Sequence, residues 1–383
     1  MGEASAANWK QPWARANPLS VADEAGKPRV AKLYHTVRSA HVERNATTSP
    51  AWILYTRHSY DFDPELNVQS SYLNRVSMWT AERTIRSLGI RRVEINEPFM
   101  VATWPLIAVF LFQRARRRHR MGTSIVVYAI ANHAPQDAIS AKFKIPHSVS
   151  RIIARCFVSL VLKRSSRICF GTGAAHTAYR DLLGEEWEPI EKRSRVIEML
   201  PASAGDCRKN GGSFLFLGEL SGRKGLDRIL AAWPRVRREV KGSVLLVVGA
   251  GPLESDVVER AKVDDSIQFF GLAHREDVRE ILSKAQVVVM PSRASPGWRE
   301  QVGLPLLEGW AHGCELVTTA DTGIAESLRT NGHQVLPQDY SDRQLSDAMI
   351  AASRSDRNAS DIQSQLPETD GRAMAEQWLH SGA

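Results

Sequence analysis

The sequence is poor in cysteine and has no long apolar run. Its four cysteines, Cys156, Cys169, Cys207 and Cys314, lie far apart, and no two of them have CxxC spacing. This pattern argues against a disulfide framework or a cysteine-bound structural metal and favours a reduced, cytoplasmic setting. The longest apolar run, FMVATWPLIAVFLF from Phe99, is shorter than the ~20 residues of a spanning helix. The first 20 residues also lack the apolar segment of a signal peptide.

Acidic residues are scarce in one part of the chain. Arg114 to Arg180 hold 13 basic residues and one acid, Asp137. Residues 1–200 carry 29 Lys/Arg against 17 Asp/Glu, whereas residues 201–383 carry 21 against 25. The positive electrostatic field of this region favours an anionic partner, such as a membrane surface, an acidic glycan or a nucleic acid.

Two basic stretches lie next to apolar ones. RARRRHR (114–120) follows PLIAVFLF, and RIIARCFVSLVLKRSSR (151–167) mixes both kinds of residue. A charge run is most often only a solvated surface, but cations beside an apolar patch suit anionic lipid head groups. Because aromatics are not interleaved with these cations, we do not expect a nucleic-acid partner. We expect peripheral association with the inner face of a membrane.

Short β-branched runs alternate with helical patterns in the second half of the chain. The runs are SFLFLGEL (213–220), SVLLVVGAGP (243–252), SIQFFG (266–271), QVVVMPS (286–292) and ELVTTAD (315–321). Between the first two, Leu226, Ile229, Leu230, Trp233 and Val236 recur at helix-face spacing. This order predicts a doubly wound parallel sheet with ligands at the carboxyl ends of its strands.

The first half repeats the alternation less regularly. Candidate strands are 51–57, 91–97, 124–132, 167–172 and 194–200, and candidate helices lie near 69–88, 148–164 and 174–183. We therefore predict an α/β chain of two Rossmann-like domains facing a cleft. The predicted parts are an N-terminal domain (1–200), a Gly-rich linker (201–213), a C-terminal domain (214–365) and a last helix (366–383) that packs back on the first domain. Residues 354–370 are predicted to form a polar loop.

The segment EQVGLPLLE (300–308) combines an apolar helix with two acids. If the helix begins near Gly303, then Leu304, Leu307, Ala311 and Cys314 form a buried stripe. The N–H groups of Gln301, Val302, Gly303 and Leu304 precede or open that helix and suit a phosphate. Glu308 lies about 6 Å further along and could hold the hydroxyls of a ribose. The alternative is that Glu308 is an ordinary exposed helical glutamate.

A second phosphate-type feature is LGELSGRKGLD (217–227). Glycines such as Gly218 allow a close backbone approach, and the cations Arg223 and Lys224 could clamp a diphosphate. Strand–turn–helix junctions are generally rich in such residues, so the loop alone is weak evidence. A third junction, VGAGP (248–252), is expected to be mainly structural.

Taken together, these motifs resemble the donor half of the retaining glycosyltransferases of family 4 (glycosyl transferases group 1), which have the GT-B fold. The resemblance rests on five ordered elements: G-x-L-x-x-x-K-G from Gly218 to Gly225, VGAGP, FFG, PS followed by EQVGLPLLE, and GIAESL (323–328). It covers about residues 213–350, and the first half matches only in architecture.

The resemblance implies roles for the matching positions. Glu308 would bind the ribose of a nucleotide, Glu300 would face the donor sugar, the amides near Gly303 and Leu304 would meet the distal phosphate, and Lys224 would neutralise the diphosphate. The chain departs from the pattern at Glu219, where the family usually has Arg; Arg223 would then supply the missing charge. Such enzymes need no obligatory metal or other cofactor, and the nucleotide sugar is their donor substrate.

Acceptor-side residues are sought in the first domain. Asn132 and His133 follow a candidate strand in YAIANHAP, and His133 could contact the reacting centre. His58, which follows ILYTR, competes equally with it. DFD (61–63) has the D-x-D form of a divalent-cation site, but its position before Pro64 makes a turn the better interpretation, and no metal is expected.

The sequence thus predicts a cytoplasmic enzyme that transfers a sugar from a nucleotide donor to a glycan or lipid-linked acceptor with retention, in polysaccharide or glycolipid biosynthesis. The second domain would bind the donor and the basic first domain the acceptor. Two alternatives stay open: a GT-B sugar-nucleotide epimerase, and a non-catalytic binding protein on a degenerate GT-B scaffold, for which Glu219 is the argument.

Overall fold

A computed structural model describes residues 27–48, 50–59, 62–63, 72–116, 122–295 and 298–381 of the 383. The N-terminal 20 residues, Asp61, and residues 117–120 of the basic run lie outside the described residues.

Among the described residues, the strands form two sheets. In chain order they are β1 (Val30–Val37), β2 (Trp52–His58), β3 (Leu73–Arg75), β4 (Arg92–Asn96), β5 (Ser124–Ala129), β6 (Arg167–Phe170), β7 (Ser194–Val196), β8 (Ser213–Leu217), β9 (Val244–Val248), β10 (Ile267–Gly271), β11 (Val287–Met290), β12 (Glu315–Thr319) and β13 (Gln334–Leu336). The sheet orders are β3-β2-β1-β4-β5-β6-β7 and β10-β9-β8-β11-β12-β13. The pairs with a defined register, such as β8 with β9 and β11 with β12, are parallel.

Helices connect the strands, as parallel pairing requires. The described helices are α1 (Ser39–Thr47), α2 (Ala81–Ser87), α3 (Trp104–Arg116), α4 (Gln136–Phe143), α5 (His147–Lys163), α6 (Gly173–Leu183), α7 (Glu188–Glu191), α8 (Leu226–Glu239), α9 (Glu254–Val263), α10 (Arg275–Lys284), α11 (Leu304–Ala311), α12 (Ala325–Thr330), α13 (Asp342–Ser353), α14 (Ala359–Gln363) and α15 (Gly371–His380).

The six-stranded sheet is covered on both faces. Along β8, Phe214 and Phe216 belong to the apolar cluster of α8 and α13, whereas Leu215 belongs to a second cluster that contains Leu306 and Trp310 of α11. Successive side chains of a strand point to opposite faces, so both sets become core. This double burial explains why the strands are continuous apolar runs rather than alternating ones.

The chain divides into two compact units. One comprises Met1–Asn96, Pro105–Val126 and Glu376–Ala383, and the other comprises Glu97–Trp104 and Val127–Ala375. Within the first unit, Glu376 accepts from Lys32 Nζ at 2.8 Å and His380 Nε2 lies 2.9 Å from Glu94 Oε2. The predicted boundaries at residues 200, 213 and 365 stay predictions.

Several sequence-based expectations need correction. In the described part of the helix predicted near 69–88, Leu73–Arg75 instead form a strand that pairs with β2, and α2 begins at Ala81. The loop predicted over 354–370 contains α14, whose start is capped by Asn358. Leu304, predicted to be buried, is 54% exposed, while the other three positions of its stripe are buried. The sequence reading also missed β1 and β13.

The apolar run that begins at Phe99 contributes to the core. Its second half lies in α3, where Leu106, Ile107, Phe110 and Leu111 are buried and Phe112 is exposed. In the described part of the chain, no helix has both the length and the apolar character needed to cross a bilayer.

Candidate functional site

The turn after β8 is shaped by its glycines. Gly225 has a φ of 80°, and a Cβ there would lie 2.4 Å from Pro291 O. Gly249 has a φ of 136°, and its Cβ would lie 1.9 Å from Gly218 O. Only glycine fits such contacts. The first of them brings the short helix Gly222–Lys224 against the segment that follows β11.

Lys224 and Glu300 form an ion pair in this turn. Lys224 Nζ donates to Glu300 Oε2, and Ser292 Oγ donates to the same oxygen at 3.3 Å. The Lys224 side chain is 16% exposed and that of Glu300 11%. The structure therefore brings together a predicted phosphate-binding cation and a predicted sugar-binding acid, in a partly desolvated place where charge interactions are strong.

The backbone of Glu300 is held from two sides. Its carbonyl oxygen accepts from Asn132 Nδ2 at 2.9 Å and from Gly323 N at 3.1 Å. A Cβ on Gly323 would lie 1.8 Å from Gln301 O, so this contact again requires glycine. Asn132, predicted on the acceptor side, is thus in direct contact with the Glu300 segment.

The segment before α11 presents unpaired backbone donors. Gly303 has a φ of 80°, and its carbonyl accepts from Leu306 N and Leu307 N to begin the helix. Among the described residues, nothing accepts a hydrogen bond from the N–H groups of residues 301–304, and Pro305 has none to offer. Open N–H groups at a helix start carry partial positive charge, which suits an anionic group.

Glu308 lies one turn after Leu304 on the exposed side of α11. Its carboxylate has no hydrogen bond or ion pair with other described residues. Loss of hydration raises the pKa of Glu308, and the positive charges of Arg275 and Arg279 partly oppose this shift. The acid is thus an available hydrogen-bond acceptor beside the helix start.

Glu219, the departure from the family pattern, is neutralised locally. Arg223 Nη2 donates to Glu219 Oε2, and the Arg223 guanidinium lies 4.6 Å from the Trp298 ring centroid. Lys224 Nζ lies 5.3 Å from the same centroid. Trp298 is a residue that sequence reasoning missed, because a tryptophan in a loop gives no signal of the cations that will stack on it.

The two histidines considered for the reacting centre both have other contacts. His133 Nε2 lies 3.1 Å from Asp137 Oδ2, and Asp137 also meets His147 at 2.8 Å. His58 stacks on Phe62 at 4.1 Å between centroids and its Nε2 lies 2.9 Å from Tyr55 Oη. The role of His133 stays a prediction.

Within the described ranges, no three metal-ligating side chains of the His, Cys, Asp or Glu type cluster.

The segment that holds these residues is similar to known proteins. Residues 211–354 match the family of glycosyl transferases group 1. Through this segment the chain is similar to members of that family. Glycogen synthase of Mycobacterium tuberculosis is 30% identical over 131 residues, which are 33% of this chain and 30% of that protein. A GDP-mannose-dependent alpha-(1-6)-phosphatidylinositol monomannoside mannosyltransferase of the same organism is 28% identical over 141 residues, 34% of this chain and 37% of that one. The chain therefore spans only about a third of these relatives' lengths.

Solved glycosyltransferase structures match nearly the whole chain. The apo form of the lipopolysaccharide outer core galactosyltransferase WaaB aligns with a TM-score of 0.64 and 10% identity over 91% of this chain and 98% of that one. Anabaena Alr3699/HepE in complex with UDP aligns with a TM-score of 0.61 and 13% identity over 91% and 94%. At such identities the likeness establishes the fold, which is GT-B as predicted.

Proposed function

We propose that the protein is a glycosyltransferase that moves a sugar from a nucleotide-sugar donor to a glycan or lipid-linked acceptor. The observation that supports it most is the meeting of Lys224, Glu300 and the open N–H groups before α11 at the carboxyl ends of β8 and β11. Ligands of parallel α/β sheets bind at that edge. The named relatives, a glycogen synthase and GDP-mannose-dependent mannosyltransferases, support the same chemistry.

Each group has a task in this proposal. The N–H groups of Gly303 and Leu304 and the ammonium of Lys224 hold the diphosphate, Glu308 accepts from the ribose hydroxyls, and Glu300 accepts from the hydroxyls of the sugar. A phosphate must then compete with Glu300 for Lys224, so donor binding replaces one charge pair with another. Arg223, held by Glu219 and Trp298, contributes less.

Transfer proceeds with retention in this proposal. The acceptor oxygen attacks the anomeric carbon on the face from which the diphosphate leaves, the old C–O bond breaks, and the departing phosphate oxygen takes the acceptor proton. The protein positions both substrates and stabilises the leaving diphosphate by Lys224 and the amides. No metal ion or cofactor is part of the proposal.

A panel of nucleotide sugars tests the function. Release of nucleoside diphosphate that falls at least tenfold in Glu308→Ala supports the transferase, with Glu259→Ala on α9 as a matched control. Conversion of the sugar without release would favour the epimerase instead. A wild-type protein that binds no nucleotide sugar would favour the scaffold alternative.

We also propose that the α4–α5 surface docks on anionic lipid. Helix α5 buries one stripe that includes Ala154, Val158 and Leu162, yet Val149, Ile152, Ile153 and Leu160 form a second apolar stripe that is exposed. Phe143 at the end of α4 is also exposed. A surface helix needs only one apolar face, so the second one indicates a partner.

The charges around this exposed stripe support a lipid as that partner. Lys142 and Lys144 flank Phe143 in sequence, Arg151 precedes Ile152, and all three cations are exposed. Cations next to an apolar stripe suit the interface of an anionic membrane.

Liposome sedimentation tests the docking surface. Vesicles with phosphatidylglycerol should pellet the wild type at low salt, and Ile152→Ser with Ile153→Ser should abolish pelleting. Val263→Ser with Leu272→Ser, which removes two even more exposed apolar side chains elsewhere, should leave it unchanged. Equal pelleting of both double variants would refute the proposal.

A further inference from the structure

Glu97, directly after β4, has a strained backbone. Its φ is 55°, and among the described residues the other non-glycine with a positive φ is Lys144. Its own N–H donates to Tyr128 O at 3.1 Å. Such a conformation is costly for a residue with a Cβ, and it persists where the surroundings fix it, often at functional sites.

The carboxyl of Glu97 is only half used. Its Oε1 accepts from Ile130 N at 2.8 Å, whereas Oε2 is shielded from solvent and has no hydrogen-bond partner among the described residues. Burial raises the pKa of Glu97 to about 7, and the N–H groups of Ile130 and Ala131 partly oppose that shift. Burial, and to a smaller degree the charge of Glu97, raises the pKa of Tyr179 well above its ordinary value, so Tyr179 stays neutral.

Asn132 carries a second unused oxygen on the loop that Glu97 holds. It is 7% exposed, and its Nδ2 donates to Glu300 O. Because a carbonyl accepts only from the amide nitrogen, the other atom, Oδ1, is the oxygen, and it is enclosed without a partner among the described residues. Asn132 lies two residues after Ile130, a backbone span of at most about 7 Å.

Two enclosed oxygens without donors among the described residues thus lie at one loop: Asn132 belongs to the loop and contacts Glu300, and Glu97 is bonded to the loop through Ile130 N. A buried acceptor left unpaired is costly, and native proteins normally pair such atoms. We propose that Glu97 Oε2 and Asn132 Oδ1 accept hydrogen bonds from hydroxyl groups of a carbohydrate bound beside Glu300. This inference rests on the proposed transferase function. The carbohydrate is the donor sugar or the sugar of the acceptor, which share this hydroxyl chemistry.

Glu97→Gln separates ligand binding from loop anchoring. The amide oxygen of Gln can still accept from Ile130 N, but its NH2 group cannot accept from a hydroxyl. We expect unchanged affinity for a nucleoside diphosphate without sugar. If the donor sugar is the ligand, affinity for the nucleotide sugar falls about tenfold; if the acceptor is, its KM rises about tenfold at constant donor affinity.

A matched control is Glu198→Gln. Glu198 is another partly buried carboxylate, which accepts from Ser327 Oγ at 2.6 Å, and its change should leave every affinity unaltered. The wild type gives a test that needs no variant. An ionised carboxylate is the better hydrogen-bond acceptor. As pH rises through about 7, either the sugar-dependent part of the donor affinity should rise or the acceptor KM should fall, and neither should change with pH in Glu97→Gln.

The outcomes are distinguishable. If Glu97→Gln matches the wild type in the donor and acceptor measurements, the inference is overturned while the transferase stands. If the wild type binds no nucleoside diphosphate, both fall. If Glu97→Gln unfolds or loses nucleoside diphosphate affinity as well, the wild-type pH profile decides, and a flat profile overturns the inference.

Discussion

Acidic residues serve different purposes at the amino and carboxyl ends of the strands in the six-stranded sheet, which we call the amino edge and the carboxyl edge. At the amino edge, Glu315 opens β12 and accepts from Arg357 Nε at 2.8 Å and Nη2 at 2.5 Å, with His333 Nδ1 at 3.2 Å. At the carboxyl edge, Glu308 has no such partner among the described residues. A saturated buried charge network stabilises the fold, whereas a carboxylate without such partners can accept hydrogen bonds from a ligand.

The pKa values follow this difference. Burial would raise the pKa of Glu315, but hydrogen bonds from His333, Arg357 and Ser355 outweigh it and lower the pKa to about 2. Loss of hydration raises the pKa of Glu308, and the charges of Arg275 and Arg279 only partly oppose this shift. A glutamate is thus structural where neighbouring cations match its charge, and it is available to a ligand where they do not.

The largest expected effect is at the amino edge. Glu315→Ala should lower the free energy of unfolding by about 3 kcal/mol at pH 7, because it leaves Arg357 without its partner. The pKa of Glu315 is depressed on folding, so its contribution is present above the unfolded pKa and is lost as pH falls through about 4 towards 2. Urea unfolding at pH 7 and pH 3 measures both effects. Glu308→Ala, at the carboxyl edge, is the control and should not lower the free energy of unfolding. A comparable loss of stability in this variant would contradict the assigned difference between the two acids.

The second largest loss of stability is expected where the backbone of the carboxyl edge requires glycine. Gly323→Ala should cost about 2 kcal/mol or more, since its Cβ would meet Gln301 O at 1.8 Å and the backbone must move. The same change at Gly173, where a Cβ meets nothing within 4 Å, should be nearly neutral. Thermal unfolding of both variants checks this, and equal melting temperatures would contradict it.

Lys224→Ala sharpens the functional side. We expect nucleoside diphosphate affinity to fall at least tenfold, because a charge-assisted contact is lost. The free energy of unfolding should also fall, because Glu300 is left without its cation. Isothermal titration calorimetry measures the affinity. Arg223→Ala should lower this affinity less than Lys224→Ala, since the Arg223 guanidinium is already paired with Glu219. The reverse ranking would show that Arg223 is the main diphosphate ligand.

The smallest effect is expected at Glu219. Its exposed pair with Arg223 contributes at most about 1 kcal/mol, so Glu219→Gln should alter stability by less than that. Removing the negative charge should tighten nucleoside diphosphate binding about twofold to fivefold at low salt, and the gain should fade as salt is added. Weaker binding in the variant would mean that Glu219 serves the site by orienting Arg223.

Much of the C-terminal half follows from local sequence signals. The apolar runs at 213–220, 243–252 and 286–292 were recognisable as buried strands, and Gly303 marked the start of α11. Leu304 was misjudged because spacing alone does not say which side of a short helix is covered. β1 was missed because Lys32 interrupts its apolar pattern, and the partner that makes this lysine acceptable, Glu376, lies 344 residues away in sequence.

Local sequence patterns were enough to predict the α/β alternation and the candidate donor residues Lys224, Glu300 and Glu308, because periodicity, glycines and helix starts act over a few residues. Only the tertiary structure decided that Lys224 pairs with Glu300, that Asn132 secures the Glu300 backbone, and that Glu97 keeps an unused oxygen. Those contacts join segments 76, 168 and 33 residues apart. Their geometry depends on how parallel strands from distant parts of the chain are placed side by side, which no local pattern specifies.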